Sequence, residues 1–181
     1  MGDPVRISKF LSKHLRHDPQ GLGLVLGPGG WVEVEALLAA CARKGMVISR
    51  AQLAEVVAGS DKQRFALSAD GQQIRANQGH SVEVDLQLEP AIAVPAALYH
   101  GTGAQTVDVI LREGLRRMAR HHVHLSPDVE TARRVGGRHG RAVVLVVDAA
   151  AMRAAGAVFY CSENGVWLTE AVAPVYLRVL G

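Results

Sequence analysis

Ile7, Phe10, Leu11 and Leu15 recur at i, i+3, i+4 and i+8, the spacing that gathers apolar side chains on one face of a helix. Asp3 before Pro4 marks the start: a side-chain acceptor for an orphan N–H, then a ring that presets the first turn. Asp18-Pro19 marks the stop, because the residue before a proline avoids the helical region. Lys9, Lys13 and Arg16 then line an exposed edge. Arg16 and His17 fall at the helix C-terminus, where the backbone dipole favours cations. Val34 to Ala42 reads as a second helix ended by Gly45, and Ser49-Arg50-Ala51-Gln52 is a capping-box pattern that opens a third. From Arg64 the period changes to two. Arg64–Ser68 and Gln73–Ala76 alternate on either side of Ala69-Asp70-Gly71, which predicts a β-hairpin. Phe65 and Leu67 share one side of it, so Arg64 points to the other, beside Arg16 and His17 if the hairpin folds back on the first helix.

A polar loop, Asn77-Gln78-Gly79-His80-Ser81, comes next, and Val84, Leu86 and Leu88 alternate through a predicted strand that leads into a linker ending at Pro95. Three helices followed by a hairpin is the order of a winged-helix domain, a common nucleic-acid-binding plan. The pattern places a domain boundary near residue 92.

Beyond it the chain is richer in strands. Leu98–His100 predicts a short strand, and Val107, Ile110 and Leu111 form a helix face that Gly114 closes. Val123 and Leu125 alternate with His122 and His124, a strand with a polar face. Ser126-Pro127 starts a helix that runs through Arg133 and Arg134 to Gly136-Gly137. Ala142 to Val147 is an unbroken apolar run, as expected of a central strand covered on both faces. Asp148 caps a short helix that ends before Gly156. Val158–Cys161 and Val166–Thr169 flank Asn164-Gly165 as a hairpin, and Val175–Leu180 closes the chain as a strand. The fold class is α+β. Nothing alternates as βαβ units, and no GxGxxG follows a strand, which excludes a Rossmann dinucleotide site. Gly136-Gly137-Arg138-His139-Gly140 has the flavour of a phosphate loop but matches no motif.

With 181 residues and 49% apolar composition, the chain can build a packed core, and with aromatics at 4% that core must be aliphatic. The net charge of +3 is uneven: residues 91–181 carry ten arginines against seven acids, and every lysine lies at or before Lys62. Arginine's planar fork suits phosphate and carboxylate; GC-rich codon usage accounts for the bias equally well. Cys41 and Cys161 have neither metal spacing nor a disulfide framework. With no signal-peptide pattern and no apolar run long enough to span a bilayer, a cytoplasmic protein without a membrane is expected, as a monomer and without a metal.

Two stretches concentrate chemistry. His100 precedes Gly101, Thr102 and Gly103, where missing side chains would let a ligand reach backbone groups. Arg120, His121, His122 and His124 crowd around Val123, a density of titratable groups that is costly to bury without purpose. This reads as half of an active site, with the other half in the first ninety residues. His14 reads as structural, and His121 and His122 as solvated strand-edge residues. His80 suits either an RNA contact or a loop cap, and Trp31 and Trp167 read as core.

Taken in order, Ser12-Lys13-His14-Leu15-Arg16-His17, Arg64-Phe65, Ile74-Arg75-Ala76-Asn77-Gln78-Gly79-His80-Ser81, Leu98-Tyr99-His100-Gly101-Thr102, Val123-His124-Leu125-Ser126 and Asn164-Gly165-Val166-Trp167-Leu168 resemble the RNA 2′-phosphotransferase family. These are NAD-dependent enzymes that remove the 2′-phosphate left at a splice junction by tRNA ligation. The resemblance covers nearly the whole chain. It implies an N-terminal winged-helix-like RNA-binding lobe over 1–92 and a C-terminal ADP-ribosyltransferase-like mixed β lobe over 93–181. It implies Arg16, His17, Arg64 and Arg120 as the catalytic set, with Arg116 and Arg117 as neighbours of the last. His100, Gly101, Thr102, His124 and Ser126 match the NAD site, and Val166 takes the place of the glutamate that toxin relatives carry. Arg134 and Arg138 are candidates for the pyrophosphate or the RNA backbone, or else form a solvated helix face.

The implied reaction has two steps. The RNA 2′-phosphate displaces nicotinamide from NAD, giving a 2′-phospho-ADP-ribosylated RNA; the ribose 2″-hydroxyl then takes the phosphate, releasing ADP-ribose 1″,2″-cyclic phosphate and a 2′-OH RNA. Guanidinium groups suit the phosphate charge, and His17 is the one side chain of the set that exchanges protons near neutrality. Two other readings stand beside this one. An ADP-ribosyltransferase could act on a protein, a nucleic-acid end or a small molecule, with Glu163 and Glu170 nearby. A winged-helix regulator sensing NAD is less well supported, because the third helix carries little more charge than Arg50 and Glu55.

Overall fold

In the computed structural model, residues 3–60 and 63–181 are described, with the side chain of His139 outside that description. Helix α1 (Pro4–Arg16) begins where Asp3 accepts a hydrogen bond from the Val5 N–H at 3.0 Å, a cap contributing on the order of 1 kcal/mol. Its apolar stripe goes inside: Ile7, Leu11 and Leu15 are fully buried, while Lys9 and Lys13 stay exposed. Arg16 departs from the expected exposed edge and is half-buried, because its guanidinium turns back toward the hairpin. A two-residue strand β1 (Val32–Glu33), which no periodicity could announce, leads directly into α2 (Val34–Arg43). Helix α3 (Arg50–Ala58) opens on the full capping box of Ser49 and Gln52.

The hairpin forms from β2 (Phe65–Leu67) and β3 (Gln73–Ala76), with Phe65 opposite Ala76 and Leu67 opposite Ile74. Strand β1 pairs antiparallel with the far edge of β3, giving the order β1-β3-β2. One core, including Leu11, Leu15, Leu37, Leu53 and Ile74, joins these helices to the sheet, and each such side chain contributes about 1.5–3 kcal/mol on burial.

The strand expected from Glu83 does not form. Its alternation is real, since Val84 and Leu88 are half-buried and Leu86 is buried between exposed neighbours. What is lacking is a ladder: the Asp85 carbonyl accepts from the Gly29 N–H at 2.9 Å, and the segment runs extended as a strap. Both tryptophans are half-buried rather than core, and the Arg75 guanidinium lies 4.6 Å from the Trp31 ring centroid.

Contacts divide the chain into two units, Met1–Leu88 and Glu89–Gly181. In the second, β4 (Ala97–Gly103) is seven residues long and continues past the expected strand Leu98–His100 through Gly101 and Gly103. Then come α4 (Val107–Glu113), β5 (Leu115–Arg116), β6 (Val123–Leu125), α5 (Val129–Gly136), β7 (Ala142–Asp148), α6 (Ala149–Ala154), β8 (Tyr160–Cys161), β9 (Trp167–Thr169), β10 (Ala171–Val172) and β11 (Leu177–Val179). Helix α5 is capped by Asp128, two residues after the expected Ser126. The apolar run of β7 is central, in the antiparallel order β11-β7-β4, with Val144 to Val147 buried. A second antiparallel sheet has the order β6-β9-β8, and β5 pairs with β10. Tyr99 and Ser126 exchange backbone hydrogen bonds at 2.9 and 2.7 Å, tying β4 to the end of β6. The architecture is mixed α/β, with six α-helices among the described residues and several small antiparallel sheets. No helix among the described residues is long and apolar enough to cross a membrane.

Candidate active site

Each unit gathers its own share of the residues singled out in the sequence. In the first, the end of α1 and the start of β2 meet through main-chain atoms. Arg16 Nη2 donates to the Arg64 carbonyl at 3.3 Å, and the same carbonyl accepts from the Asn77 N–H at 3.0 Å. Four residues on, the Ser81 N–H donates to the Arg16 carbonyl at 2.9 Å. The loop 77–81 therefore ties down the backbones of both arginines. It is itself well anchored, since Asn77 and His80 are buried and the Asn77 amide donates to the Gln63 carbonyl at 2.7 Å.

His17 caps α1, its N–H donating to the Lys13 carbonyl at 2.9 Å, and its exposed ring sets Nδ1 2.9 Å from Ser81 Oγ. His14 is different: it is buried, donates from Nδ1 to the Asp18 carbonyl at 2.9 Å, and packs its ring 4.6 Å from that of Phe10. It finishes the helix. Arg16 and Arg64 both line a cleft of about 490 Å³ between α1 and α3. His17 lines a separate one of about 420 Å³ with Asp18, Leu24 and Val82. Ser81 lies within one of the sequence motifs, but its contact with His17 depends on where a loop 64 residues further along the chain returns, which local patterning does not encode.

In the second unit, β4 and β6 bring three candidates into a chain. Arg120 Nη1 donates to His124 Nδ1 at 3.0 Å, so that nitrogen carries no hydrogen. The His124 carbonyl lies 3.1 Å from His100 Nδ1; a carbonyl only accepts, so the hydrogen is on His100 Nδ1 and Nε2 holds a lone pair. Burial, partly opposed by that hydrogen bond, pushes the His100 pKa below its ordinary value and keeps the ring neutral. His122 is also lowered, first by desolvation, then by His121 and Arg117, with Glu170 opposing. Its ring tilts against that of Tyr160.

A Cβ at Gly101 would come within 1.6 Å of the Ala132 carbonyl, so the missing side chain lets α5 lie directly on β4. Thr102 is buried, its hydroxyl 2.7 Å from that of Thr106. Val166 sits in the β8–β9 turn, where its carbonyl accepts from the Ser162 N–H at 3.0 Å and its N–H donates to Ser162 Oγ at 3.2 Å; continuing the pairing of Leu125 with Trp167 sets it level with Ser126. Arg134 and Arg138 are exposed, and Arg134 donates to Thr131 on its own helix at 3.2 Å, apart from the His100–His124–Arg120 chain. No three His, Cys, Asp or Glu side chains gather as metal ligands among the described residues.

Paired arginines near a helix-end histidine are side chains suited to phosphate groups. The chain belongs to the RNA 2′-phosphotransferase, Tpt1 / KptA family, whose sequence model matches residues 2–171. It is similar to proteins named "Probable RNA 2′-phosphotransferase". That of Trichormus variabilis is 60% identical over 97% of this chain and 96% of the relative. That of Streptomyces griseus is 59% identical over 98% and 97%, and that of Pseudomonas fluorescens 51% over 96% and 95%.

Proposed function

We propose that this protein removes an internal RNA 2′-phosphate and transfers it to NAD, leaving a 2′-OH RNA, nicotinamide and ADP-ribose 1″,2″-cyclic phosphate. The observation that carries the reading is the pairing of Arg16 and Arg64 on one cleft, with His17 at the same helix end, in a chain of this family. Three helices and a β1-β3-β2 sheet support a winged-helix-like RNA lobe in the first unit. The antiparallel sheets around β7 support an ADP-ribosyltransferase-like lobe in the second.

Arg16 and Arg64 hold the substrate phosphate by charge-assisted N–H bonds; the family resemblance implies Arg120 as a further guanidinium of the catalytic set. None of them titrates, so they stabilise charge that gathers on the phosphate oxygens without exchanging protons. His17 moves the proton. For Nε2 to receive and return it, Nδ1 must keep its own hydrogen, and Ser81 Oγ stands where it can accept that hydrogen in either protonation state. NAD, when bound, supplies the ribose carbon that accepts the phosphate and the neighbouring hydroxyl that closes the cyclic product. The second unit's donor set fits it: the lone pair on His100 Nε2 is suited to receive a ribose hydroxyl, and Ser126 and Val166 stand level at the adjoining strand ends.

Incubating the protein with a 2′-phosphorylated oligonucleotide and NAD tests the reading, with the cyclic phosphate as the diagnostic product. Arg16→Ala, His17→Ala, Arg64→Ala and Arg120→Ala should each lower turnover about 100-fold or more. Full turnover by Arg16→Ala and His17→Ala would overturn it, as would ADP-ribosylation of an acceptor that stops before phosphate release.

A further inference from the structure

The cleft that holds Arg16 and Arg64 extends well past them along α1. Its lining runs from Arg16 through Ser12 to Lys9 and Ser8 on one helix face, with Ser60 and Arg64 across from them. We propose that this cleft carries the RNA strand flanking the 2′-phosphate, with successive phosphodiesters lying against Arg16, Ser12 and Lys9. The proposal rests on the reading that Arg16 and Arg64 hold the 2′-phosphate, and it assigns the rest of the cleft.

Three observations favour a single strand there. One turn of helix rises about 5.4 Å, comparable to the step between neighbouring phosphates of an extended strand, so hydroxyl and ammonium groups one turn apart match its backbone. The α1 side offers donors, two serine hydroxyls and one exposed lysine, which is how phosphate oxygens are held without reading sequence. The α3 side offers Glu55, which repels phosphates and keeps the backbone on α1, while Val5 and Val56 give apolar wall for sugars and bases. Lys13, although on the same helix, lies outside the lining. The basic stripe of the sequence therefore divides, and Lys9 is its part that faces the cleft.

The test compares a dinucleotide with an octanucleotide, each bearing one internal 2′-phosphate, by fluorescence anisotropy and by turnover with NAD. The wild-type protein should bind the octanucleotide at least tenfold more tightly. Lys9→Glu and Ser12→Glu should each shrink that preference about five- to tenfold and flatten the salt dependence of octanucleotide binding. Lys44→Glu, an equal charge change at an exposed position outside the cleft, should keep the wild-type ratio. Glu55→Gln should widen it. Equal binding of both lengths by the wild type overturns the proposal, as does a loss in Lys9→Glu that is the same for both lengths or is matched by Lys44→Glu. A protein that turns over neither RNA fails the proposed reaction instead, and the anisotropy ratio still judges the cleft.

Discussion

Ser81 is the residue on which the His17 assignment turns. In a free imidazole the hydrogen prefers Nε2, so a histidine proposed to exchange protons at Nε2 needs an acceptor for a hydrogen on Nδ1, and the Ser81 hydroxyl, able to accept as well as donate, lies 2.9 Å from it. Ser81→Ala should lower kcat about ten- to a hundredfold with a smaller change in KM for RNA, since Arg16 and Arg64, which we propose hold the phosphate, are untouched. Ser81→Thr should restore most of the loss. Nitrogen-15 NMR of the His17 ring supplies the direct check: the Nδ1–H form should dominate in the wild type and recede in Ser81→Ala. An unchanged ring spectrum would mean the serine only holds the loop. The residue types at 16, 17 and 64 could be read along the chain, and their meeting followed from a helix stop and a hairpin. Ser81 could not be read in the same way, because its role is set by a hydrogen bond across sequence distance rather than by spacing.

Among elements, the close approach of α5 to β4 has the sharpest consequence. Gly101 and Gly136 face each other there: a Cβ at Gly136 would come within 2.7 Å of the Thr102 nitrogen, and one at Gly101 would overlap the Ala132 carbonyl. Both obstacles are backbone, which cannot rotate aside. Gly101→Ala should therefore destabilise by about 3 kcal/mol or more and lower the melting temperature by many degrees, or leave the protein insoluble; thermal unfolding checks this. The long apolar and amphipathic segments declared themselves in the sequence: α1 through its cap and stripe, β7 through its unbroken run. Short elements did not. β1, β5 and β10 are two residues each, too few for any period to register. The alternation at Val84–Leu88 was read as a strand because burial on one side produces the same pattern whether or not a neighbour supplies a ladder. The packing role of Gly101 was not legible, because the sequence does not show which element lies against a missing side chain.

For the whole molecule, acidification acts through identified groups in the second unit. The folded pKa of His100 lies below the ordinary 6.5, chiefly because burial disfavours the charged ring, and that of His122 is lowered for the same leading reason. The unfolded chain therefore binds these protons first as pH falls, and native stability declines from about pH 6.5 downward through the folded values. Above that range the two groups cost nothing. Amide exchange at pH 7.5 and 5.5 should show β4 and β6 losing protection on acidification, and the loss should be smaller in His100→Gln. Equal loss in both proteins would place the acid sensitivity elsewhere.

One detail of the first unit reaches beyond this reaction. The loop 77–81 grips Arg16 and Arg64 by their carbonyl oxygens, which every amino acid possesses. The Arg64 side chain can be exchanged without touching these anchors, the Arg16 guanidinium adds one more bond to the Arg64 carbonyl, and deleting a single loop residue would detach both anchors together. An engineer seeking a new acceptor or a new anion should begin with position 64 and leave the length of that short connection alone.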